Sequence, residues 1–421
     1  MNNTASKPTF TKYQVFVIAI LAFIQFTVVL DFMVLSPLSA ILLDKLHINT
    51  SQFGFVVSAY AFSAGASGLL SAGFADKYDR KKLLMFFYTG FIIGTILCGL
   101  APNYQFLLIA RIVTGIFGGV ISSIGLAIVT DIFKMEQRGR VMGFVQMAFA
   151  ASQVLGIPVG LFLANRWGWH SPFLMIAGLG IAVGIIMTIY LKPVNEHLKY
   201  KSDRNPFHHL ASTLVKTPYA RGFLATTLLA TGGFMLMPFG SAFGIHNMGL
   251  TMEQLPTLYL VSGMFAMVIG PLAGKLSDKI GKYKVFFLGT VISIIMVLYY
   301  TRLGITPLWG VILINIFMFA GITSRMIASS ALMTAVPDPQ DRGAFMSINS
   351  SVQQISGGIA AACAGQIVAQ TSTGYLKHYD TLGYVVTVSM LITLGMMYII
   401  NRQVQQKLKP RESPVVQPEG A

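Results

Sequence analysis

Ala72-Gly-Phe-Ala-Asp76-Lys-Tyr-Asp-Arg80-Lys-Lys is a short polar gap between two long apolar runs, and it returns as Gly274-Lys-Leu-Ser-Asp278-Lys-Ile-Gly-Lys282-Tyr-Lys. Asp76 to Asp278 and Arg80 to Lys282 are both separated by 202 residues. A second echo pairs Gln137-Arg138-Gly139 with Asp341-Arg342-Gly343, 204 residues further on. Matched loops in matched positions make the chain a duplication of two halves in the same orientation.

Outward from these loops, charge is confined to short gaps. Twelve apolar stretches, at 14–43, 53–75, 83–101, 106–132, 140–163, 171–192, 220–246, 255–276, 284–303, 308–336, 344–369 and 381–400, are of the length that crosses a hydrocarbon core, which takes roughly 20 apolar residues. Hydrophobic residues make up 54% of the chain and charged residues 11%, against about 25% charged in an average soluble domain. Water cannot solvate most of such a surface, and an all-α membrane protein with twelve transmembrane helices is expected. Residues 1–13 read as an N-terminal tail, 14–192 and 220–400 as two six-helix bundles, and 401–421 as a C-terminal tail. Residues 193–219, with Pro193, Pro206, Pro218 and the pair His208-His209, read as the linker.

The formal charge of +15 would suit nucleic acid only if the basic residues shared one exposed face. They alternate between loops instead. With the N-terminus on the cytoplasmic side, 24 Lys and Arg fall in inner segments and four (Lys45, Arg166, Arg302, Lys377) in outer loops. This asymmetry predicts a multi-pass protein of the cytoplasmic (inner) membrane with both termini in the cytoplasm. The first span has no small-residue cleavage site and outruns a signal-peptide core, so it is expected to be retained. Cys98 and Cys363 fall within spans and staple no loop. His208-His209 lacks further ligand spacing, and no metal site is expected.

Of the acidic residues, only Asp31, in Val29-Leu-Asp31-Phe-Met-Val, is deep within a span. A charge at a helix centre costs about 2.5–3.5 kcal/mol on insertion scales, so it should be paired, protonated or facing a wet cavity. A carboxyl withdrawn from water can gain and lose a proton under physiological conditions, as a reversible proton carrier must. The competing reading is a permanent salt bridge with Arg111, which lies at comparable depth in span four. Arg111 could equally serve packing, since Gly115 and Gly119 follow on its helix and admit a close neighbour. Arg325 is the other basic residue inside a span.

At these positions the sequence resembles the major facilitator superfamily, over essentially the whole chain. The loop after span two is similar to the family signature Gly-x-Leu-x-Asp-Arg-x-Gly-Arg-Lys, with Ala72 and Asp79 in place of its two glycines; the second copy keeps both, as Gly274 and Gly281. Arg111-Ile-Val-Thr-Gly115 resembles the Arg-x-x-x-Gly motif of span four. Gly156-Ile-Pro158-Val-Gly160 resembles the span-five motif of the drug:proton antiporter-1 and arabinose efflux branch, with its Gly-Pro pair split by Ile157.

The resemblance implies the major facilitator fold, two pseudo-symmetric six-helix bundles that alternate access to a midplane site. It implies proton coupling through Arg111 with Asp31, and a cytoplasmic gate of Asp76, Arg80 and Asp131, echoed by Asp278 and Lys282. Polar lining of the substrate cavity is expected from Gln25, Gln146, Gln153, Thr227, Thr231, Asn349 and Gln353, and by analogy from Arg325. Gly115, Gly119, Gly156, Pro158 and Gly160 are expected to serve packing or hinging.

The expected function is secondary active, proton-coupled efflux (antiport) of a small amphipathic, drug-like or sugar-like molecule, a multidrug or sugar exporter. It would use no cofactor beyond the proton gradient and would act as a monomer in the bilayer, with protons and a small-molecule substrate as partners and no nucleic acid. Uptake of an organic anion or zwitterion, using Arg111 and Arg325, is the rival within the class. A membrane sensor is the rival outside it, although both tails are short. An enzyme is not expected: no cluster of nucleophiles, bases or metal ligands occurs in the spans, and no Gly-x-x-x-x-Gly-Lys-[Ser/Thr] loop is present.

Overall fold

The structure, a computed structural model, describes residues 10–71, 77–199, 206–338 and 341–408. Its helices in chain order are α1 (Lys12–Val34), α2 (Ser39–Lys45), α3 (Thr50–Ser71), α4 (Arg80–Gly99), α5 (Tyr104–Ile132), α6 (Met135–Ala151), α7 (Ile157–Trp167) and α8 (Ser171–Tyr190) in the first half. The second half holds α9 (Pro206–Val215), α10 (Thr217–Leu236), α11 (Gly240–His246), α12 (Gln254–Ile280), α13 (Lys282–Tyr300), α14 (Leu308–Met333), α15 (Arg342–Ile367) and α16 (Tyr379–Leu408). A two-residue antiparallel pair, β1 (Ala369–Gln370) with β2 (Leu376–Lys377), joins α15 to α16.

Eleven helical segments among the described residues are long and apolar enough to cross a membrane. The remaining traverse is α15, whose Ser, Gly and Gln content distinguishes it from the others. It packs between α3 of the first half and α10 of the second, while Ser350, Gln353 and Gln366 on its remaining side stay exposed. The sequence expectation of twelve apolar runs is therefore adjusted at this one helix. Within the stretch expected as linker, α9 forms, and α16 continues unbroken to Leu408.

Two traverses are broken at related positions. The first is interrupted between α1 and α2, around Pro37; the seventh is interrupted by a 3₁₀ turn, Met237–Phe239, containing Pro238. A proline supplies no N–H and so ends or kinks a helix. The breaks meet each other: the Ser36 hydroxyl donates to the Met237 carbonyl, and the Ser39 Oγ accepts from the Ala242 N–H at 3.2 Å. Nearby, Thr50 donates to the Val368 carbonyl at 2.5 Å and Asn165 to the Met252 carbonyl at 2.9 Å. All of these bonds lie towards the face opposite the chain termini.

The apolar cores tell the same story. One buried cluster, including Leu38, Phe53, Phe173, Phe239, Phe243 and Leu382, runs through both halves near that opposite face. At the terminal face the halves have separate cores, one with Leu21, Leu84, Phe91 and Ile124, the other with Phe223, Phe286, Phe345 and Ile400. The apolar cores of the two halves are thus shared at one end and separate at the other, while α3 and α15 stay in contact down to Gly68 and Ser351.

The polar gaps differ between halves for a local reason. Gly281 links α12 to α13 at φ +101°, a left-handed conformation that glycine adopts without steric cost. Asp79, its counterpart, sits at φ −56° and accepts a hydrogen bond from the Lys82 N–H at 3.0 Å, capping α4. Within the first half, α5 lies directly on α3. A Cβ at Gly119 would stand 2.3 Å from the Ala64 carbonyl oxygen, and Gly115 faces Tyr60 and Ser63 equally closely. Gly119→Leu should therefore lower stability by about 1–3 kcal/mol, the usual cost of overpacking, seen as a reduced thermal midpoint in detergent; an unchanged midpoint would contradict this packing.

Candidate functional site

The most enclosed charges sit in the middle of the first half. Arg111 Nη1 on α5 donates to Asp31 Oδ2 on α1 at 2.7 Å, and the two side chains are 1% and 0% exposed. The same nitrogen lies 3.4 Å from the Asp31 carbonyl, and Thr95 Oγ1 on α4 stands 3.2 Å from Asp31 Oδ1. Three helices thus converge on one carboxylate. Arg111 Nε and Nη2 find no oxygen acceptor; the guanidinium instead lies 4.5 Å from the centre of the Tyr60 ring on α3. An aromatic face stabilises a cation most where water is excluded.

From Tyr60 a ladder of rings leads out of the half. Tyr60 and Phe32 have centroids 5.3 Å apart, and Phe32, adjacent to Asp31 in sequence, lies 5.7 Å from Phe234 on α10. Phe234 in turn rests on Gly357 of α15. The ion pair is therefore two rings away from the other half of the molecule. Nothing in the apolar run of α3 marks Tyr60 beforehand, and Thr95, Phe32 and Phe234 were equally silent in sequence. The available signals were the depth of Asp31 and Arg111 and the Arg-x-x-x-Gly pattern at Arg111.

The other expected residues are scattered by comparison. Gln25 on α1 accepts from Ser122 of α5 at 3.0 Å, and Gln153 lies in the π-helical turn Ser152–Gly156, against which Gly263 of α12 packs. Such turns often mark functional positions. Gly156 and Gly160 receive Leu30 and Val34 of α1, and Pro158 stands at the start of α7. The Gln146 side chain lies outside what is described. In the second half, Thr226 donates to Asn349 at 2.6 Å, Ser356 to Thr227 at 3.0 Å, and Thr231 to the Thr227 carbonyl at 2.9 Å. These bonds join α10 to α15 or close within α10; Gln353 is exposed.

Arg325 departs from the expectation. It is 5% exposed, with its guanidinium 5.4 Å over Phe286 of α13 and its stem against Gly289. Gly321, one turn earlier on α14, faces Gly289 and Ser293 in the same way. This side of α14 looks into its own half rather than across to the other, so Arg325 does not line the surface between halves.

At the terminal face, Arg80 Nε lies 3.3 Å from Asp131 Oδ2, joining the start of α4 to the end of α5. Asp76 falls outside the described residues. Asp278 is exposed and forms no ion pair with Lys282 among the described residues. The second half uses a different acid. Asp341, 3% exposed, takes Lys216 Nζ at 2.5 Å, the Tyr219 hydroxyl at 2.8 Å and His209 Nε2 at 3.1 Å, tying α9 and α10 to the start of α15. Asp338 meets Lys407 of α16 at 2.6 Å. The partners of Asp341 are more than 100 residues away in sequence, which hid this cluster from a linear reading.

The comparisons with known proteins fit this geometry. The Major Facilitator Superfamily model matches residues 21–361 and 223–418. The chain belongs to the Major Facilitator Superfamily. It is a multi-pass membrane transporter and not an enzyme. A protein described as "Probable sugar efflux transporter" from Helicobacter pylori (strain G27) is 26% identical over 373 residues, 87% of this chain and 91% of that protein. "Multidrug resistance protein 2" from Bacillus subtilis (strain 168) is 22% identical over 367 residues, 85% and 89%. Among solved structures, a bacterial homologue of the human lysosomal transporter Spinster, crystallised inward-facing and unoccupied, superposes with a TM-score of 0.76 at 17% identity, covering 96% of this chain and all of that one.

The Asp341 cluster predicts a pH dependence. The Lys216 hydrogen bond, joined by those from Tyr219 and His209, outweighs burial and holds the Asp341 carboxyl down to about 2. A free Asp titrates near 3.9, so the cluster stabilises the fold fully above that value and loses its contribution as pH falls from about 4 to 2. The thermal midpoint of Asp341→Asn should lie below that of the wild type by a constant margin between pH 7 and 5, and the margin should close on acidification towards pH 2. A margin that persists or widens there would contradict the assignment.

Proposed function

We propose that this transporter exports a small amphipathic, drug-like or sugar-like molecule in exchange for protons, with Asp31 as the proton carrier and Arg111 as its counter-ion. The observation that carries the reading is the Asp31–Arg111 pair, sealed from solvent yet joined by Tyr60 and Phe32 to Phe234 of the other half. Protonation of Asp31 cancels the charge that holds Arg111 Nη1 and leaves the guanidinium to the Tyr60 face. Tyr60 and Phe32 respond together, and Phe32 is packed on the seal between the halves. The proton thereby acts on the contact that must loosen for the opposite face to open.

The direction of transport rests on the relatives, two of which carry names of efflux or drug-resistance proteins. With both termini in the cytoplasm of the inner membrane, as the distribution of Lys and Arg supports, the face of the shared core is the outer one and the separate cores face inward. A monomer supplies both halves, and the proton gradient supplies the energy. Uptake of an organic anion loses its main support because Arg325 faces Phe286 rather than the opposing half.

In proteoliposomes with an imposed pH gradient, Asp31→Asn should abolish gradient-driven transport of drugs and sugars; leaving Arg111 unpaired should lower the thermal midpoint, while the protein that reconstitutes folded keeps gradient-independent exchange. Full pH-dependent transport by this variant would refute the assignment.

A further inference from the structure

Away from the ion pair, one groove has the character of a ligand site. It is an open groove of about 410 Å³ at the terminal face between the start of α10 and the end of α16, lined by Thr217, Pro218, Arg221, Ile399, Arg402, Gln403 and Gln406. An apolar slot of about 220 Å³, bounded by Arg221, Met396 and Ile399, adjoins it. Met396, Ile399, Gln403 and Gln406 recur at helical spacing along one side of α16. Over the roughly 15 Å they cover, at 1.5 Å per residue, the lining passes from hydrocarbon to amide; Arg221 borders both the slot and the groove, and Arg402 borders the groove.

We propose that this groove binds an anionic phospholipid of the adjacent leaflet, its phosphate between Arg221 and Arg402 and the upper part of an acyl chain along Met396 and Ile399. Among the described residues neither arginine has an ion pair, although acids elsewhere on this face are paired, as Asp338 is with Lys407. Guanidinium is suited to phosphate by its planar array of donors. Gln403 Oε1 is buried at the groove without a hydrogen-bond partner, a position that a headgroup hydroxyl would satisfy. The apolar slot gives a free phosphate no purchase but gives a lipid chain a bed. The chain's own last residues, 409–421, carry Lys409 and Arg411 against Glu412 and Glu419, a balanced charge that complements two arginines poorly.

The test is native mass spectrometry of the full chain in detergent, titrated separately with dioleoyl phosphatidylglycerol, dioleoyl phosphatidylcholine and glycerol 3-phosphate. Phosphatidylglycerol should be retained in preference to phosphatidylcholine, and glycerol 3-phosphate should not displace it. Arg221→Gln and Arg402→Gln should each weaken retention by about fivefold, the usual contribution of one basic residue to anionic lipid, with unchanged thermal midpoints. Ile399→Trp, which fills the slot and leaves both arginines, should weaken it as well. Equal retention of both lipids, displacement by glycerol 3-phosphate, or unaltered retention in the double arginine variant would overturn the proposal. So would increased proteolysis of the 409–421 segment in the double variant with lipid binding unchanged, which would make the tail the occupant.

Discussion

A carboxylate and a guanidinium held 2.7 Å apart, with almost no exposure, set the terms for the first half of this protein. Each charge alone would be intolerable in that position, and removing one partner from a buried pair typically costs about 3–5 kcal/mol. The surrounding residues make the pair tolerable. Thr95 supplies a further polar contact to Asp31, and the Tyr60 ring lies 4.5 Å from the Arg111 guanidinium. The helices cannot be rearranged independently: α1, α3, α4 and α5 each contribute an atom to the arrangement, and α5 is pressed onto α3 at Gly115 and Gly119. A single proton on Asp31 changes the electrostatics of all four at once.

The second requirement for transport is an element with two arrangements. In the proposed mechanism it is the contact between halves. The breaks of the first and seventh traverses interlock through Ser36, Ser39, Met237 and Ala242, and Phe53 packs against Phe239 with centroids 5.7 Å apart. The shared core lies beside this lock, whereas the terminal-face cores are separate. Short broken helices at a seal can rotate without distorting the long helices that follow. Phe32 and Phe234 stand between the lock and the ion pair, which is where the proposed proton exchange would reach the seal.

Much of this was legible in the sequence, and the reasons differ by residue. The apolar spans follow from composition and its patterning, because hydrocarbon imposes its demands on every exposed position, whereas the duplication was read from the matched loops at Asp76 and Asp278 and the charge asymmetry from where Lys and Arg fall. Asp31 announced itself because a lone acid in an apolar run needs an explanation, and Arg111 followed from its depth. The direction of Arg325 was hidden: on a helix apolar all round, spacing does not reveal which side meets a neighbour, and only the contact with Phe286 and Gly289 decides it. Asp79 looked like a flaw in a glycine position and proved to be a helix cap. The Asp341 cluster gathers residues from α9, α10 and α15, a meeting that local patterns cannot encode.

The account stands on Asp31 exchanging a proton during transport. Infrared difference spectroscopy on oriented, reconstituted protein, comparing wild type with Asp31→Asn as substrate and pH are varied, reads this directly. A protonated carboxyl band that appears and disappears with substrate, and is missing from the variant, is the predicted result. A carboxylate at position 31 that stays ionised under every condition that supports transport would leave the pair a structural bridge and contradict the mechanism.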